Sequence, residues 1–142
     1  METIGELEKY LEEECYSFQE ISVGKHHAPE GIVIEKEGDR YNFITSERGN
    51  KEIMKSFMSE KELVDFTLEV LKRNRWYKAH LVAWVWNDSE IKSAEKELKE
   101  MKIDFERNDI PNYSKGKHAY RIFVFGRDVL LLEAFKMKYM RY

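Results

Sequence analysis

An α+β fold, with a mainly antiparallel sheet and helices packed on it, is the class this chain predicts, and three observations carry that prediction. Residues 41–74 run from an alternating strand through a charged turn into a second short strand, then into a capped amphipathic helix. Comparable helical and strand patterns flank this unit, so helices and strands are mixed along the whole chain. No Ser-rich or Pro-rich linker separates the halves, which makes a single domain over residues 1–142 the expectation.

The elements follow in order. Thr3 and Glu6 have capping-box spacing, and Ile4, Leu7 and Leu11 form a helical stripe to about Glu14. Residues 18–23 read as a strand and residues 25–31 as a loop, punctuated by Pro29 and Gly31. Residues 32–35 and 41–45 flank Lys36-Glu37-Gly38-Asp39 as a hairpin, and a short strand follows at 52–57. Ser59 and Glu62 form a second capping box, opening a helix whose apolar face is Leu63, Phe66, Val70 and Leu71.

Residues 76–86 are almost wholly apolar, so periodicity does not separate a buried strand from a buried helix. Their aromatic and β-branched content favours a strand. Asp88 or Ser89 caps a helix to about Lys102, with Ile91, Ala94, Leu98 and Met101 inward. Residues 103–107 and 119–125 are expected as strands joined by a polar loop over 108–118. Gly126 and Asp128 lead into a last helix carrying Val129, Leu132, Phe135 and Tyr139. Each half thus reads helix, strand, loop, strand or strands, helix, which suggests a pseudo-repeat.

Composition narrows the function. The chain holds 24 Lys plus Arg against 27 Asp plus Glu, so it lacks the basic excess with which nucleic-acid binders neutralise phosphates. There is no long apolar run and no signal-peptide pattern, and the one cysteine, Cys15, suits a reducing compartment. A cytoplasmic protein without membrane contact is expected. Residues 2–14 hold Glu2, Glu6, Glu8, Glu12, Glu13 and Glu14 against one lysine, Lys9. They make either a solvated helix exterior or an acidic face for a basic partner.

No catalytic constellation is recognisable. Gly116-Lys117 lacks the glycine five residues earlier and the following Ser or Thr of a phosphate loop, since Pro111 and His118 stand there. Cys15 is expected as ordinary helix packing rather than a nucleophile. His26 and His27 are neighbours that an extended chain points to opposite sides, and no HExxH or Cys-His cluster supports a metal; none is expected, nor any cofactor. Trp76, Tyr77, Trp84 and Trp86 read as core packing rather than base-stacking platforms. Two polar segments remain as recognition surfaces: 46–51, with Glu47, Arg48 and Asn50, and 109–115, with Asp109, Asn112 and Tyr113.

Tyr41-Asn42-Phe43 running into Ser46-Glu47-Arg48-Gly49-Asn50-Lys51, then Phe57 and the acidic helix from Ser59, resembles a family of bacterial immunity proteins. Such proteins are encoded beside the polymorphic toxins exported by Gram-positive bacteria and protect the producer. Asp109-Ile110-Pro111 and residues 119–129 extend the likeness, which covers residues 30–74 and 103–133. The first helix and the Trp-rich segment carry no motif of the family. The resemblance implies a non-enzymatic inhibitor that binds the C-terminal domain of a cognate toxin and blocks its active site. If the toxin is a nuclease, an acidic surface formed by Glu12, Glu13 and Glu14 would complement its basic cleft, with the Glu47-to-Asn50 turn as the rival contact. Two other readings remain: a nucleic-acid or regulatory binding module using the Trp-rich segment, and a small enzyme built on His118, Tyr113 and a carboxylate.

Overall fold

The computed structural model describes residues 1–142, and the chain is α+β, with four α-helices and eight strands in two mainly antiparallel sheets. It divides into two compact units, Met1–Lys78 and Ala79–Tyr142, each with its own sheet and hydrophobic core. No helix is long and apolar enough to cross a membrane.

The first unit opens with α1, Ile4–Glu13. Thr3 accepts from the Glu6 N–H while the Glu6 side chain accepts from the Thr3 N–H, so the capping box forms as its spacing predicts. Cys15 follows with φ 56, the left-handed conformation that commonly ends a helix. The sheet runs β1 (Ile21–Ser22), β2 (Gly31–Glu37), β3 (Arg40–Glu47) and β4 (Asn50–Phe57) in that order. Only β1–β2 is parallel. The strand expected at 18–23 shrinks to two residues, because Phe18 takes φ 55 and leaves the extended region.

Gly31 fixes the approach of β2 to the preceding chain. Its φ is 104, the Ile32 N–H reaches the Glu20 carbonyl at 2.8 Å, and a Cβ on Gly31 would lie 2.2 Å from that carbonyl oxygen. Helix α2, Glu60–Lys72, begins at Ser59, whose hydroxyl accepts from the Glu62 N–H. It buries Leu63, Val64, Thr67 and Leu71, while Phe66 stands edge-on to Phe43 with centroids 5.0 Å apart. Leu63, Val64 and Leu71 form the first core with Leu7, Leu11, Ile21, Ile32 and Ile34, and Phe66 packs against it. At roughly 1.5–3 kcal/mol for each large apolar side chain removed from water, this burial is what holds the sheet and its two helices together.

The apolar stretch after α2 is not one strand. Arg75–Lys78 form a 3₁₀ turn, and the strand β5 begins only at Ala79 and ends at Val85. Helix α3, Asp88–Glu100, is capped by Asn87, one residue before the expected caps. The Asn87 Oδ1 accepts from the Glu90 N–H at 2.8 Å. Ile91, Ala94 and Leu98 are buried as expected, but Met101 is 45% exposed, because the helix ends at Glu100 and the C-cap carries Met101 off its inner face.

The polar segment 108–118 is likewise not a loop. It forms β7, Ile110–Ser114, which turns through Lys115-Gly116 into β8, Lys117–Phe125. The expected strand at 103–107 is reduced to β6, Glu106–Arg107. β8 is the hub of this sheet, pairing antiparallel with β5, β6 and β7. Residues 126–131 form a 3₁₀ helix ahead of α4, Glu133–Tyr139, so the expected last helix is split. Val82, Val85, Ile91, Leu98, Ile122, Val124, Leu132 and Phe135 fill the second core. A helix, strands and a helix follow one another in both units, but β5 ahead of α3 has no counterpart in the first, and the strand orders, β1-β2-β3-β4 and β5-β8-β6, differ.

Candidate functional site

Tyr113, Trp84 of β5 and Trp86 just beyond that strand converge on one surface of the second unit. Asn112 takes φ 67, and the β7–β8 register breaks between Ile110 and Ser114. The kinked strand sets the Tyr113 ring edge-on to Trp84, with centroids 5.2 Å apart and planes at 86°. The same ring lies 5.6 Å from Trp86, and Trp84 and Trp86 are edge-on to each other at 6.0 Å. Tyr142 completes the group, 5.3 Å from Trp84.

Exposure is graded across this cluster. Tyr113 is 52% and Tyr142 is 76% exposed, Trp86 is half-buried, and Trp84 is only 9% exposed. Two cations cover the rings: the Lys117 ammonium lies 4.8 Å from the Trp86 centroid, and the Arg121 guanidinium lies 5.5 Å from that of Trp84. The Trp86 indole N–H donates to the Arg141 carbonyl at 2.9 Å, whereas the buried Trp84 indole N–H has no acceptor in the chain. The Arg141 N–H donates to the Trp84 carbonyl at 2.8 Å, which anchors the C-terminal segment along β5.

Asp109 occupies a different kind of place. The Arg107 guanidinium grips it, with Nε 3.0 Å from Oδ1, and the Arg121 N–H donates to the same oxygen at 3.1 Å. His118 Nε2 lies 3.3 Å from Oδ2. Burial pushes the Asp109 carboxyl up, but these hydrogen bonds outweigh it and hold the group below the ordinary carboxylate range. Arg121 also donates to the Asn108 carbonyl and Oδ1, both at 2.7 Å. Asp109 therefore ties β6, β7 and β8 together and has its oxygens committed. His118 stacks near Tyr120, centroids 4.1 Å apart, and so takes partners other than those of Tyr113.

The remaining predicted site residues belong to the first unit. Glu47 and Asn50 pair across a two-residue turn in which Arg48 and Gly49 have φ 52 and 81, the signature of a type I′ hairpin. All four are exposed, and the Arg48 N–H donates to Glu30 at 3.1 Å. Glu12 is engaged within the chain: its carboxylate lies 2.7 Å from His26 Nε2 and 3.4 Å from the Lys25 ammonium. The hydrogen bond from His26 lowers its pKa. Glu13 is exposed on α1, and Glu14 is the half-buried C-cap. The acidic helix is thus partly neutralised by its own loop, while Asn112 and Tyr113 are carried on a strand to an aromatic and cationic surface.

Sequence reading missed the joining of Tyr113 to Trp84 and Trp86. The signal was present in Lys115-Gly116, a two-residue turn between Asn112-Tyr113-Ser114 and the strand after it, where Gly116 supplies φ 72. The same turn disposes of Gly116-Lys117 as a phosphate cradle, since it leads into a strand rather than a helix N-terminus. No family model matches the chain, and no curated protein and no solved structure matches it significantly.

Proposed function

We propose that this chain is a non-enzymatic immunity protein, which binds the C-terminal domain of a cognate toxin one-to-one and contacts it through the Tyr113-centred surface. The observation that carries the reading is the convergence of Tyr113, Trp86 and Tyr142 over a buried Trp84, with Lys117 and Arg121 at the rings. Trp, Tyr and Arg dominate interface hot spots because each presents a large contact area together with a polar handle. Aromatic rings also lose little conformational entropy on docking, having two side-chain torsions to fix. The resemblance of residues 30–74 and 103–133 to immunity proteins supplies the class of partner.

The charge beside the rings decides which face of a toxin suits this surface. Lys115 and Lys117 are exposed there, so an apolar patch with acidic neighbours is complementary, and a bare phosphate-binding cleft is not. A nuclease toxin would accordingly be held outside its most basic region. The Glu12-Glu13-Glu14 face remains the competing contact for a basic cleft.

Single-stranded nucleic acid is the second reading, favoured by the same pairing of rings and cations. Calorimetric titration against the toxin domain encoded beside this chain, and separately against a single-stranded oligonucleotide, distinguishes the two. One-to-one toxin binding that is weakened by Tyr113→Ala and insensitive to Glu13→Lys is the expected outcome. Oligonucleotide binding with a steep salt dependence, and none to the toxin, would replace the immunity reading.

A further inference from the structure

Two turns of α1 and the loop after β1 bring together three side chains of metal-ligand type. Glu8 and Glu12 are four residues apart and lie on the same face of α1. His26 arrives from the loop with Nε2 2.7 Å from Glu12 Oε2 and 4.0 Å from Glu8 Oε2. One ligand atom from each residue falls within 4.8 Å of the others.

The group is held in place before any ion arrives. The His26 ring stacks on Phe18, with centroids 3.7 Å apart and planes within 9°. Its backbone exchanges hydrogen bonds with Val23 in both directions, at 3.0 and 3.1 Å. Glu8 Oε2 accepts the Lys25 N–H at 2.8 Å, which orients that carboxylate as an outer-shell partner would. Gly24, with φ 58, lets the loop close over it, since a Cβ there would lie 2.2 Å from the same oxygen. The three side chains are between 22% and 35% exposed, so they are accessible without being fully solvated.

An ordinary ion pair needs one carboxylate against the imidazole, whereas this ring faces two. A positive charge beside them comes from Lys25, whose side chain is 74% exposed and can swing away on its stem. Tetrahedral zinc with bonds of about 2.0–2.2 Å sets its ligands roughly 3.3–3.5 Å apart. Side-chain shifts of about 1 Å would bring the three atoms to that spacing.

We propose that Glu8, Glu12 and His26 form a three-ligand site for a divalent transition cation, zinc by ligand class, with a fourth position left to water. Imidazole with carboxylate suits zinc and its neighbours better than calcium or magnesium, which prefer oxygen alone. The ion would pin the loop carrying Gly24, Lys25 and His26 to α1, and it stands independently of the aromatic surface of the other unit.

The test is calorimetric titration of the chelator-treated full chain with zinc, alongside melting curves with and without the metal. Expected are one saturable site and a raised Tm, both retained in His27→Gln and Cys15→Ser. In His26→Gln and in Glu8→Gln the affinity should fall by roughly tenfold or more. Calcium and magnesium at the same concentration should leave Tm unchanged. Absence of saturable zinc binding, or binding equal in wild type and in both cluster variants, would overturn the site and leave Glu8, Glu12 and His26 as an ion-pair network. Loss of binding in His27→Gln or Cys15→Ser alone would place the ligands elsewhere and overturn it equally.

Discussion

The Tyr113 ring stands perpendicular to Trp84, 86° between planes and 5.2 Å between centroids, although the two residues lie on strands that do not pair with each other. β8 makes the meeting possible by holding β5 on one edge and β7 on the other side of its length. Edge-to-face pairs of this kind contribute about 0.5–1.5 kcal/mol beyond their buried area. Tyr113→Ala should therefore cost stability by about 1 kcal/mol and change the tryptophan emission. Its effect on partner affinity should be larger, about 2 kcal/mol or more, because the ring is half-exposed before docking. Denaturant unfolding and titration of the same variant separate the two effects; equal losses in both would make Tyr113 a packing residue only.

Asp109 links charge to stability in a defined direction. Its folded-state pKa lies below the ordinary carboxylate value, with hydrogen bonds from Arg107, the Arg121 N–H and His118 outweighing its burial. Its contribution is therefore fully present above pH about 4, and it is lost as pH falls through the lowered folded value. Asp109→Asn should be less stable than wild type by roughly 1–3 kcal/mol at neutral pH. The two stability curves should converge as pH falls below 4. Parallel curves down to pH 2 would show that the carboxylate charge contributes nothing.

Two glycines with positive φ should respond differently to the same change. Gly31→Ala places a Cβ 2.2 Å from the Glu20 carbonyl oxygen, which is backbone and cannot move aside, so a loss of about 3 kcal/mol or more is expected. Gly38→Ala meets nothing within 4 Å at φ 62, and only the left-handed cost of roughly 1–2 kcal/mol remains. Thermal melts of the pair measure the difference, and equal shifts would mean that β2 is not held against Glu20.

The end of α3 sets a further comparison. Leu98 is fully buried, so Leu98→Ala should cost about 3 kcal/mol, whereas Met101→Ala at an exposed C-cap should cost less than about 0.5 kcal/mol. Comparable losses in chemical denaturation would restore Met101 to the helix's inner face.

Where local chemistry decides the conformation, sequence reading succeeded. Thr3 with Glu6 can satisfy the first turn of α1 from within four residues, and the Gly49 turn matches β3 to β4 by its own backbone twist. It failed where two local choices were close in energy. Residues 108–118 are polar enough to pass for a loop, and they become a strand only because β8 offers its edge and Arg107 pins Asp109. The apolar run 76–86 carried no period at all, and its division at Ala79 follows from where β8 begins to pair. Glu12 read as a free acid because nothing in the spacing tells that His26, fourteen residues later, returns to it.

What the sequence by itself determined is the α+β class, the starts of α1 and α2 and the two hairpins of the first sheet, all set by caps, turns and hydrophobic period within a few residues. Tertiary structure alone decided the two separate cores, the burial of Trp84 under Tyr113 and Tyr142, and the meeting of Glu8, Glu12 and His26. These depend on contacts between residues far apart in the chain, whose energies exist only after the strands have found their register.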